Sequence, residues 1–280
     1  MIWVYSEERP ALLSIEKHVA SIDNYYMIDK TEGESNIIEK KFGEIESQAG
    51  RVVKKLSENN LNLTQDELNI LILFMSYLRA RIPAFRDSVN NPITMERKLI
   101  LKMLAQNEDL YNKEMEETLN ELTENERFTF SEFKEYISQN IDKLDLKMSQ
   151  NESVKTILFA ATELQNMFSQ MKWNFLIAPK DFYYITSDRP VFPFMNNWKI
   201  SYQPGFAFKD VEVYFPVTPK ICMMGTYNDL ITTRIVSEDI VNVINARIMK
   251  NSYKYLYSNM NESQLSIQSN ITLDKMENKI

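Results

Sequence analysis

The sequence predicts an α+β fold, with a mainly helical N-terminal two-thirds packed on a small antiparallel sheet from the C-terminal part and a short N-terminal strand. Three observations carry this. Apolar residues recur three and four apart through residues 34–172, the spacing of one helix face. Short β-branched and aromatic runs punctuated by proline fill 173–227, as strands and tight turns require. Apolar residues at 44% and charged ones at 25% are the proportions of a chain that buries a core. The expected organisation is a single domain over 1–258, with a last helix at 237–250 and a polar tail over 259–280.

Taken in order, Ile2-Trp3-Val4-Tyr5 is the short strand, broken by Arg9-Pro10. From Ser35, one stripe joins Ile38, Phe42, Ile45, Ala49, Val52 and Leu56 into an amphipathic helix. Thr64 and Glu67 form a capping box: the threonine accepts from the third residue's N–H and the glutamate reaches back. The helix they open, Leu68 to Arg81, is apolar nearly all round and stops before Pro83. Further helices are expected at about 92–106, at about 107–122, and at 131–144 with Ser131 as N-cap. Another covers about 152–171, its seam running from Val154 through Leu164 to Met171. Strands are expected at Trp173–Ala178, Asp181–Thr186, Val211–Phe215 and Ile221–Tyr227. Ser237 opens the last helix, and Tyr253 to Tyr257 returns to the sheet.

Composition removes several function classes. Five glycines are scattered so that none builds a phosphate-cradling or dinucleotide-binding loop. One histidine, His18, and one cysteine, Cys222, leave little for a zinc site or a catalytic triad. Cys222 lies in an apolar run and reads as a buried thiol. No apolar stretch approaches the roughly 20 residues that cross a bilayer, so no membrane is expected and the cytoplasm is the expected compartment. Net charge is −7, with twelve acids and four bases in residues 107–145. Such a run is a solvated face or a surface for a basic partner, and it argues against broad nucleic-acid binding.

The remaining polar residues supply the candidates. Glu39 and Glu46 are seven apart on the first long helix, so they project in nearly the same direction. They edge either a cleft or an ordinary exposed flank. Arg79 and Arg81 end the central helix, where they complement the helix dipole or clamp an anion. The strand end Thr186-Ser187-Asp188 is followed by Arg189-Pro190. It reads as a polar site or as a self-capped turn. Asn245 and Arg247 of the last helix are its expected neighbours.

In their order and spacing, these segments resemble a bacterial family known as domain of unknown function 4238. The resemblance rests on Trp3-Val4-Tyr5, Asn24-Tyr25-Tyr26, Ile38-Glu39, Ile45-Glu46 and Phe74 with Arg79 to Pro83. It continues through Thr186 to Pro190, Phe215 to Pro219, and the helix of Asn245. Family members typically open with His-x-x-Pro ahead of the tryptophan strand, and this sequence has no equivalent histidine. The resemblance implies site positions at Glu39, Glu46, Arg79, Arg81, Ser187, Asp188 and Asn245, a defence or mobile-element setting, and no reaction.

Two functional expectations follow. The first is a binding or sensing module holding an anionic small ligand or an acidic partner segment among Arg79, Arg81, Thr186, Ser187, Asp188, Asn245 and Arg247, with no cofactor or metal. The alternative is a phosphoester hydrolase, nuclease-like, in which Glu39, Glu46 and Asp188 act as base or bind Mg²⁺.

Overall fold

The computed structural model describes residues 2–5, 11–13, 37–118, 128–195, 204–228 and 233–261. His18, Arg9-Pro10, Asn24-Tyr25-Tyr26 and the tail beyond 261 lie outside the described residues. Contacts group the chain into two units, one of Met1–Ile82 with Val154–Ile280 and the other of Pro83–Ser153.

The larger unit is built on two sheets. One has the order β2-β1-β9-β4, from β1 (Ile2–Tyr5), β2 (Ala11–Leu13), β4 (Thr186–Ser187) and β9 (Leu256–Ser258). The other has the order β5-β6-β7-β3-β8, from β3 (Lys172–Ile177), β5 (Phe192–Phe194), β6 (Glu212–Thr218), β7 (Ile221–Thr226) and β8 (Arg234–Ile235). The single sheet expected from sequence is thus two. The expected antiparallel pairing is also mixed, because β8 runs parallel to β3.

The five-stranded sheet is covered on both faces, which explains why β7 is buried at every position. Val213, Phe215, Ile221 and Met223 face a core shared with α1 (Ile37–Ser57), α2 (Gln65–Ala80) and α6 (Gln150–Ser169). The alternate residues Tyr214, Cys222 and Met224 face α7 (Glu238–Asn251) through Val241, Ile244 and Ile248. The two-residue alternation of a strand assigns neighbouring side chains to the two cores. Cys222 is fully buried and burial pushes its thiol well above its ordinary value, as expected of an inert core thiol.

The helical expectations hold with shifted ends. Thr64 caps α2 through the capping box with Glu67, and the helix ends at Ala80 before Pro83. The helix expected from about 92 instead begins at Pro83 and runs to Leu104 (α3), since proline's fixed φ suits a first helical position. Within the smaller unit, α4 (Glu108–Thr118) and α5 (Phe130–Asn140) join α3 around Ala105, Ile137 and Ile141. Thr129, not Ser131, caps α5, because only Thr129 has a glutamate three residues on. The described acids of the 107–145 run are exposed.

The expected strand Asp181–Thr186 shrinks to Thr186–Ser187. Lys220 Nζ donates to the carbonyls of Pro179 and Phe182, and Tyr184 N–H donates to Pro219 O. Local partners therefore satisfy the segment's backbone without a ladder. Asp181 itself takes a left-handed φ of 68°. Among the described residues, no single helix is long and apolar enough to cross a membrane.

Candidate functional site

The strand end at β4 is held by its own side chains. Ser187 is buried, and its Oγ accepts from Arg189 N–H at 3.1 Å. Asp188 is a staple: its carboxylate accepts from the N–H groups of Tyr253, Lys254 and Tyr255 at 2.8, 2.6 and 3.1 Å. Its own N–H donates to Tyr255 O. Charge-assisted bonds to three consecutive amides tie the strand end to the chain leaving α7. Thr186 pairs in the ladder opposite Tyr257.

Asn245 bridges from α7 to the segment before β4. Ile185 N–H donates to its Oδ1 at 3.1 Å, and its Nδ2 donates to Tyr183 O at 2.8 Å. The sequence expectation that Asn245 neighbours this loop is met. Arg247, two residues on, points elsewhere. Its guanidinium carbon lies 3.3 Å from the Phe194 ring centroid, and Nη1 donates to Tyr214 Oη at 3.3 Å.

The paired arginines separate into different roles. Arg81 caps α2 and bonds Glu46 at 2.6 Å, its guanidinium 5.8 Å from the Phe42 ring. Glu46 therefore occupies an arginine that the sequence pattern offers to a ligand. Glu39 lies exposed near the start of α1. Among the described residues, no three His, Cys, Asp or Glu side chains converge as a metal site would need.

Arg79 is the member of the pair whose charge is opposed by one in the β4 segment, that of Arg189. It packs 5.6 Å from the Phe206 ring centroid. Burial first, and the charge of Arg189 second, hold its guanidinium below the ordinary arginine value. Arg189 lies 5.1 Å from the Tyr253 ring, a ring that Lys254 Nζ approaches at 5.3 Å. The Nε of Arg189 is buried with no hydrogen-bond acceptor. Neither Arg79 nor Arg189 has a carboxylate at ion-pair distance among the described residues. Two like charges with their faces against aromatic rings leave their N–H edges as the remaining donors.

A recess of about 290 Å³ opens between the five-stranded sheet and α7. Tyr214 Oη donates to Glu212 Oε2 at 2.7 Å, and Arg247 lies 4.0 Å from the same oxygen. Arg234 and Asp239 line the same recess. Sequence reasoning did not assign Arg189 to the site, although it stands inside the singled-out segment, and of this recess it reached only Arg247. The available signal was alternation: Glu212 and Tyr214 place polar groups two apart on one face of an otherwise apolar strand.

These features define an α+β protein whose principal sheet is buried on both faces, with a concentration of positive charge beside the β4 loop. The chain belongs to the family described as "protein of unknown function (DUF4238)", whose model matches residues 2–262. Comparison with curated proteins found no match, and comparison with solved structures found none either.

Proposed function

We infer that the chain is a binding module that takes the phosphate or carboxylate group of a small molecule between Arg79 and Arg189. The observation that carries this is the buried Nε of Arg189, which lacks an acceptor, together with the opposing charge of Arg79 and the absence of a carboxylate at ion-pair distance from either arginine among the described residues. Desolvated like charges destabilise a fold unless something of opposite charge joins them. An oxyanion accepting from both N–H edges removes the repulsion and supplies the absent acceptor.

The other candidates act in support. Ser187 orients the Arg189 backbone, Asp188 holds Tyr253 under the Arg189 guanidinium, and Asn245 anchors the segment leading into the loop. Arg81, occupied by Glu46, fixes the end of the helix that presents Arg79. This binding requires no metal and no reaction.

Isothermal titration of the full chain with pyrophosphate, nucleotides, phosphorylated sugars and dicarboxylates tests the reading. At least one is expected to bind, with Arg79→Met and Arg189→Met each weakening it tenfold or more and Arg81→Met changing it much less. A silent panel, an affinity unaltered in both variants, or binding of an acidic peptide alone would overturn it.

A further inference from the structure

Helix α3 has apolar residues on two opposite faces. Leu101 and Ala105 enter the core that α3 shares with α5. On the other side, Met95, Leu99 and Met103 stand four residues apart at 73, 59 and 51% exposure. Side chains at that spacing share one helix face, and exposed Ile100 widens it. Large apolar side chains gathered on one exposed face, unlike single ones, mark an interaction surface.

The stripe reads the same in both directions. Leu99 lies midway between Met95 and Met103, and midway between Glu96 and Lys102. The neighbouring cations are already paired, Arg97 with Glu152 and Lys98 with Asp142. Glu96 and Lys102 are exposed and have no ion pair among the described residues. Two copies of α3 packed antiparallel about a two-fold axis at Leu99 set leucine against leucine. They also bring Met95 level with the second copy's Met103, and Glu96 level with its Lys102. A parallel pair would instead set each charge against its like. A helix that lies on a bilayer is flanked by Lys and Arg, whereas one acid and one base flank this stripe. We propose that this face of α3 binds a second copy of the chain as an antiparallel helix pair centred on Leu99.

Packed helix axes lie about 8–10 Å apart and Cα atoms about 2.3 Å from their axis. The two Leu99 Cα atoms then come to about 5 Å, a span that a disulfide bridges. Sedimentation velocity of the full chain up to about 200 μM should show a species of twice the chain's mass. Leu99→Glu should abolish it with an unchanged melting temperature, because Leu99 lies outside the core. Leu99→Cys should form a covalent dimer on mild oxidation at least tenfold faster than Ser138→Cys, an exposed position on α5, the native Cys222 being buried. Glu96→Lys should weaken the dimer about tenfold, and adding Lys102→Glu should restore it. Arg79→Met should leave it unchanged, which separates this surface from the anion site. A chain that stays monomeric throughout, including one that then binds phosphatidylglycerol vesicles, overturns the proposal. So does a dimer indifferent to Leu99→Glu, a Leu99→Cys chain that crosslinks no faster than Ser138→Cys, or a charge reversal that the second reversal fails to rescue.

Discussion

A guanidinium lying against an aromatic ring gains attraction through its face and keeps its donors in plane. Arg79 on Phe206 and Arg189 near Tyr253 both have this arrangement, and their proximity is unfavourable while no anion joins them. Arg79→Met removes one desolvated charge and keeps much of the packing. In anion-free buffer the variant should be as stable as the parent chain or more so by urea denaturation. A loss beyond about 1 kcal/mol would mean that Arg79 is held by bonds of its own. Asp188 makes the opposite case. Asp188→Ala leaves three amides of 253–255 without their acceptor and should cost about 2–3 kcal/mol in the same assay.

At the scale of elements, three helices among the described residues open with the same device. Thr64 with Glu67, Thr129 with Glu132, and Ser149 with Glu152 exchange side-chain and backbone bonds. Thr129→Ala should destabilise the unit of α3 to α5 by about 1 kcal/mol, measured by urea denaturation. The three glutamates are held below the ordinary carboxylate value of 4.5. For Glu67 the Lys55 ammonium is the first cause, and for Glu132 and Glu152 the capped backbone N–H is. Lowered folded values mean that their contribution is present in full above about 4.5 and is lost as pH falls through the folded values. Urea midpoints should therefore drop between pH 5 and pH 3, and Glu67→Gln should flatten that drop. On the sheet, Gly225 faces the Trp173 ring, and a Cβ there would sit 2.7 Å from it. Gly225→Ala should cost about 1–3 kcal/mol through overpacking, again read by denaturation.

These elements also show what sequence can reveal. Helix stripes such as Phe42, Ala49, Val52 and Leu56 were legible because packing repeats at helical spacing. The two cores flanking one sheet were not, since a strand buried on both sides reads only as a continuous apolar run. Thr129 was legible in principle, having its glutamate three residues on, but Ser131 stood nearer the apolar pattern. Candidate site residues were found by type and place in a turn. That criterion selected Asp188 and Asn245, whose polarity serves backbone groups. It could not separate Arg79 from Arg81, because only a side chain from another helix, Glu46, distinguishes them.

For the whole molecule, the five-stranded sheet is the organising feature of the larger unit. Arg79 and Phe206 belong to its side packed on α2 and α6, while the recess lined by Arg234 and Asp239 belongs to its α7 side. Asn245 and Asp188 link α7 and the chain beyond it to the β4 loop. The central claim concerns the arginine pair, and arginine side-chain NMR observes it most directly. On adding the tightest-binding anion, the Nε–Hε signals of Arg79 and Arg189 should move together and slow their exchange with water, and Arg79→Met should abolish the change at Arg189. Signals of both residues that stay in place at saturating anion would contradict the account.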